Sequence, residues 1–81
     1  MNIELIKGTY PINEGLDLIL KMIEVKIRYH EQKIDLLDNE EDMKMREQRI
    51  KQLQNDAMRI RTQFKTSAES ALKMSASIQL S

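Results

Sequence analysis

The sequence predicts an all-α fold: an antiparallel hairpin of two long helices with coiled-coil-like heptads, behind a short N-terminal extended segment, assembling into a four-helix-type bundle. Three observations predict it. Apolar residues recur at alternating spacings of three and four in both halves of the 81-residue chain. The two glycines and the single proline all precede Leu16, so the rest of the chain carries no strong breaker. A cluster of cap-forming and acidic residues near Asp38 then divides that breaker-free stretch in two.

Residues 1–11 read as an extended arm. Ile3 and Leu5 alternate with Asn2 and Glu4 in a short strand-like pattern, and with Ile6 they are expected to pack on Ala68, Leu72 or Met74. Helix 1 is expected over 12–37. Pro11 is compatible with a first helical turn, and Asn13, Glu14 and Asp17 place polar and acidic groups near the positive end of the helix dipole. Leu16, Leu20, Ile23, Ile27, His30, Ile34 and Leu37 then form a heptad seam, aliphatic at six of seven positions. A second stripe of Leu18, Met22, Val25, Tyr29 and Leu36 lies two residues along, ~200° around the helix. One neighbouring helix cannot cover both faces, so this stripe is the expected oligomer interface.

A turn is expected at 38–40. Asp38 and Asn39 suit an N-cap, and Glu40, Glu41 and Asp42 suit a first turn, whereas a calcium loop would need a Gly and alternating ligands that are missing here. Helix 2 is expected over 40–74, with a heptad at Met43, Arg46, Ile50, Leu53, Ala57, Ile60, Phe64, Ser67, Ala71, Met74 and Ile78. The hairpin core is accordingly Leu16, Leu20, Ile23, Ile27 and Ile34 against Ile50, Leu53, Ile60 and Phe64. Acid-to-base pairs four apart, Asp17/Lys21, Glu24/Arg28, Glu40/Lys44, Asp42/Arg46, Glu47/Lys51 and Glu69/Lys73, each add ~0.2–0.5 kcal/mol to a helix. Residues 75–81 read as a flexible tail. One continuous rod is the rival architecture, since neither Gly nor Pro stands at the turn.

Composition narrows the function. A chain this short buries only ~60% of its unfolded surface, which excludes a large enzyme with a separate cofactor domain. The absence of Cys excludes disulfides and thiolate sites and suits a reducing cytoplasm, bacterial by default. Glu4 and Gly8 interrupt any signal-peptide core, and no apolar run approaches the ~20 residues of a membrane span. Neither metal nor cofactor is expected, because one His and no Glu-x-x-His pair cannot build a bundle metal site. Gly8 and Gly15 make no phosphate loop, and no Ser is accompanied by an identifiable base. Met43, Met58 and Met74 read as core or interface filler.

His30 occupies a seam position and reads as a packed or water-bonded residue. His30-Glu31-Gln32-Lys33 nevertheless resembles the His-Glu-x-basic start of the phospho-acceptor box of histidine-kinase dimerisation domains. That resemblance implies a dimeric helical-hairpin scaffold with phosphotransfer at His30. It spans four residues, because Ile34-Asp35 stand where that family has a polar residue and commonly Pro.

The zero net charge is a cancellation. Residues 35–42 hold five acids and no base, while residues 43–65 hold seven bases against Glu47 and Asp56. Lys44, Lys51 and Lys65 share one heptad position, a possible nucleic-acid contact. Without an overall basic excess or interleaved aromatics, nucleic acid is the second choice. The expected function is non-catalytic: protein–protein interaction beginning with a homodimer or tetramer, with an unidentified protein as a further partner, and no membrane association.

Overall fold

A computed structural model of the chain describes residues 1–36, 39–65 and 70–81. In chain order it contains strand β1 (Asn2–Pro11), helix α1 (Ile12–Ile34), helix α2 (Glu40–Lys65) and strand β2 (Ala71–Gln79). The two strands pair antiparallel as a two-stranded sheet. The all-α expectation is therefore wrong: 25% of the described residues are strand and 65% helix.

The error lies at the C-terminus. Helix 2 ends at Lys65 instead of running to 74, and the expected flexible tail is most of β2. Leu72, Met74, Ala76, Ile78 and Leu80 alternate strictly with Lys73, Ser75, Ser77, Gln79 and Ser81. That period of two belongs to a strand with one covered face. A heptad reading accommodates Ala71, Met74 and Ile78 but leaves Leu72 and Leu80 without a place. The expected roles of Leu37, Asp38, Ser67, Ala68 and Glu69 fall outside the described residues.

The register explains the N-terminal arm. Ile3 pairs with Ile78, Ile6 with Ala76, Gly8 with Met74 and Tyr10 with Leu72. Ile3 and Ile6 would face opposite ways in a regular strand. A bulge, with Leu5 as the extra residue between Glu4 and Ile6, returns both to the face shared by the even-numbered residues of β2. The other face carries the pairs Asn2–Gln79, Glu4–Ser77, Lys7–Ser75 and Thr9–Lys73, all polar. The ribbon is thus apolar on one side and wet on the other. Gly8 has φ +132°, a conformation that L side chains rarely adopt, so β1 is irregular at two points.

β1 passes directly into α1. Pro11 takes the N-cap position with φ −52° and ψ 141°, and the N–H of Ile12 donates to the carbonyl of Ser70 at 2.9 Å. The start of helix 1 at residue 12 is as expected; the helix ends at Ile34, with Asp35 as its C-cap donating to the carbonyl of Glu31 and Leu36 in a turn. At α2 the side chain of Asn39 accepts from the N–H of Glu41 at 2.8 Å and its carbonyl accepts from Met43 at 3.1 Å, which makes it the N-cap. The helices are antiparallel: His30 meets Arg46 at one end, while Asp17 and Leu20 share a groove with Thr62 and Lys65 at the other. The hairpin survives as part of a β-α-α-β fold.

The apolar face of the ribbon lies on the first half of α1. Ile6, Met74 and Ala76 border a cleft with Ile19, Met22 and Ile23. Gly15 is buried beneath β2, and a Cβ there would stand 3.0 Å from the Met74 sulfur and 3.1 Å from Leu72 Cδ1. The missing side chain lets the strand approach the helix closely.

The resulting core is thin. Among the described residues the buried hydrophobic side chains are Ile6, Ala57 and Leu72, and no side chain is completely buried. The molecule spans 46 × 35 × 14 Å, a slab little thicker than one helix.

Candidate interaction surface

Each seam residue of the hairpin, namely Leu16, Leu20, Ile23, Ile27 and Ile34 on α1 and Ile50, Leu53, Ile60 and Phe64 on α2, is half-buried. These residues line the inside of the hairpin. The two seam positions that break the apolar pattern find each other across it: Arg46 Nη1 lies 3.0 Å from His30 Nδ1. A guanidinium only donates, so Nδ1 accepts and the ring proton sits on Nε2. That Nε2 is buried and has no partner among the described residues. Burial and then the positive charges of Arg46, Lys26 and Arg49 push the His30 pKa down from its ordinary value, so the ring is neutral. Neither nitrogen is presented to a phosphodonor in this arrangement. Tyr29 stacks edge-on against the His30 ring at 5.5 Å, with Arg46 and Lys33 each 5.7 Å from its centroid.

The second stripe divides at the ribbon. Leu18 is half-buried, and Met22, which borders the cleft beneath β2, is 38% exposed. Beyond the covered stretch Val25, Tyr29 and Leu36 are 67%, 50% and 77% exposed. The expectation that α2 would be the only intrachain cover for α1 is thereby corrected, because β2 supplies a second one. The ribbon's far end is open as well, with Ile3, Ile78 and Leu80 each at least 39% exposed. Gly15 was not expected to organise the core, and Ile6 was expected to meet Leu72 or Met74 on a helical overhang instead of a strand. The ten-residue alternation from Leu72 to Ser81 is the signal that finds the strand.

Lys44, Lys51 and Lys65 are exposed, but the heptad line joining them passes through Met58, which is also exposed. The stripe is thus not continuously basic, and Met58, read as core or interface filler, lies on the surface. Lys65 shares its groove with Asp17 and Glu24. Of the six expected helix ion pairs, Asp17–Lys21 (2.8 Å) and Glu24–Arg28 form. Asp42/Arg46 does not, because Arg46 turns inward to His30. Lys21 has its pKa raised by the hydrogen bond and charge of Asp17.

Among the described residues no group of three or more His, Asp or Glu is placed to hold a metal ion, and no helix is long and apolar enough to cross a membrane. The fold and surface define a small β-α-α-β protein with a thin core and a broad exposed apolar area. No protein family, curated protein or solved structure matches the chain.

Proposed function

We propose that this is a non-catalytic interaction protein whose first partner is a second copy of itself, working in a reducing cytoplasm. The reading rests on one observation. The chain exposes 6817 Å² of surface, whereas a compact monomer of 9.5 kDa exposes about 5000 Å². The surplus is on the order of the area each chain loses in an obligate dimer. Among the described residues eleven large hydrophobic side chains lie on that surface, and a core of three buried hydrophobic side chains does not take them in. The absence of Cys supports the compartment.

The test is whether stability depends on concentration. An associating chain unfolds at a higher temperature when its concentration rises, because assembly binds only the folded form. A rise in Tm of several degrees between roughly 1 and 100 μM is the expected result. A Tm independent of concentration would contradict the reading. The lysines of α2 support no second reading, since Met58 breaks their line.

A further inference from the structure

We infer that the outer edge of β2 pairs antiparallel with the β2 edge of a second copy, joining two ribbons into one four-stranded sheet of order β1-β2-β2-β1. The inference rests on the self-association proposed above and names the surface that carries it.

The hydrogen bonding of the ribbon shows which backbone groups are free. Met1 and Leu80 exchange bonds at 2.7 Å in both directions, and Ile12 donates to Ser70. In an antiparallel ladder, bonded and non-bonded pairs alternate. The register between these two ends therefore makes the even-numbered residues of β2 the ones bonded to β1. The N–H and C=O of Ala71, Lys73, Ser75, Ser77 and Gln79 point outward, and all five residues are exposed. Among the described residues β2 pairs with β1 alone, which leaves these groups without a ladder partner.

The two edges of the ribbon differ. β1 carries features that block pairing: the bulge at Leu5, the positive φ of Gly8, the missing N–H of Pro11, and the charges of Glu4 and Lys7. β2 has no bulge partner residue inserted, no Pro, no Gly, and Lys73 as its one charge. An edge of nine residues without such features is a template for another strand.

The sequence also fits a twofold. Overlap is greatest when Ser75 lies on the axis, so that Ala71 meets Gln79, Lys73 meets Ser77 and Ser75 meets Ser75 of the partner subunit. All of these are outward-bonding residues, giving about ten new backbone hydrogen bonds. No like charges oppose one another. On the apolar face the pairing sets Leu72 against Ile78 and Met74 against Ala76. The open end of each ribbon then comes to lie beside the end that the other copy's α1 already covers. The exposure of Ile78 at 42% in the single chain has its explanation there.

Two pairs of variants test this. Ser75→Pro deletes an outward donor while keeping every bond to β1; Lys7→Pro does the same at the directly opposite residue on the other edge. By light scattering, the wild type is expected to be dimeric and Ser75→Pro monomeric with unchanged helical circular dichroism, while Lys7→Pro stays dimeric. Ser75→Cys would be the only thiol in the chain, and across the axis the two Cα atoms would be about 5.5 Å apart, within disulfide range. It is expected to oxidise to a covalent dimer in near-full yield, at least tenfold faster than Lys7→Cys. A dimeric Ser75→Pro, or equal oxidation of the two thiols, overturns the edge pairing and leaves self-association standing. If Ser75→Pro loses its helical signal, the two thiol rates decide. A monomeric wild type overturns both.

Discussion

Gly15 sits where α1 and β2 come closest, and the side chains facing it are the ends of Met74 and Leu72. A single methyl can be admitted by a shift of the Met74 thioether, and Ala favours helix over Gly by up to ~1 kcal/mol. Gly15→Ala is thus expected to change stability by less than about 1 kcal/mol, and Gly15→Ile to lower it by about 1–3 kcal/mol through overpacking. Urea unfolding measures both, and a Gly15→Ile variant as stable as the wild type would remove the ribbon from α1. His30 sets a different test. Its folded pKa lies below its ordinary value of 6.5, so the unfolded chain binds the proton more readily. Stability is therefore retained above about pH 6.5 and falls as the pH drops through that value toward the lowered one. His30→Leu removes the titrating ring, and its Tm is expected to vary less than the wild type's between about pH 5 and 7. Identical slopes for the two proteins would show that neither burial nor the charge of Arg46 lowers the pKa of this ring.

At the scale of the element, the helices were legible and β2 was not. Helix 1 could be read because its seam repeats over five turns and starts at Pro11, and the cap at Asn39 could be read because Asn precedes three acids. Asn39→Ala is expected to cost about 1 kcal/mol, seen as a lower urea midpoint with an unchanged m-value. β2 was obscured by its residues: Ala, Ser and Met have no strong strand preference, and their positions also satisfy part of a heptad. Its pairing is with a strand some seventy residues away, which no local pattern displays. The interaction of His30 with Arg46 was half legible. Each broke the apolar pattern of its own helix, and only antiparallel docking at that register makes the two exceptions one pair. Such a polar layer fixes the register of the hairpin, as isolated polar seam residues do in coiled coils.

The whole molecule is extended for its length. Its radius of gyration is 15.3 Å, against about 12 Å for a compact chain of this size. A molecule only 14 Å in its shortest extent places most side chains within reach of water from one side or the other. Leu18, Met22, Val25, Tyr29 and Leu36 were read from sequence as a surface for association, and the last three in the chain are the most exposed of them. The bundle expected to cover them took residues 40–74 as one helix, whereas Ala71–Gln79 form β2. Covering them is the role proposed above for a second chain, and the uneven charge of the hairpin, acidic at the turn and basic along α2, is expected to orient one copy against another. The most direct test of this account is the native mass by light scattering at micromolar concentration. A value at twice 9.5 kDa or a higher multiple is the predicted result, and a folded monomer of 9.5 kDa across the concentration range would contradict it.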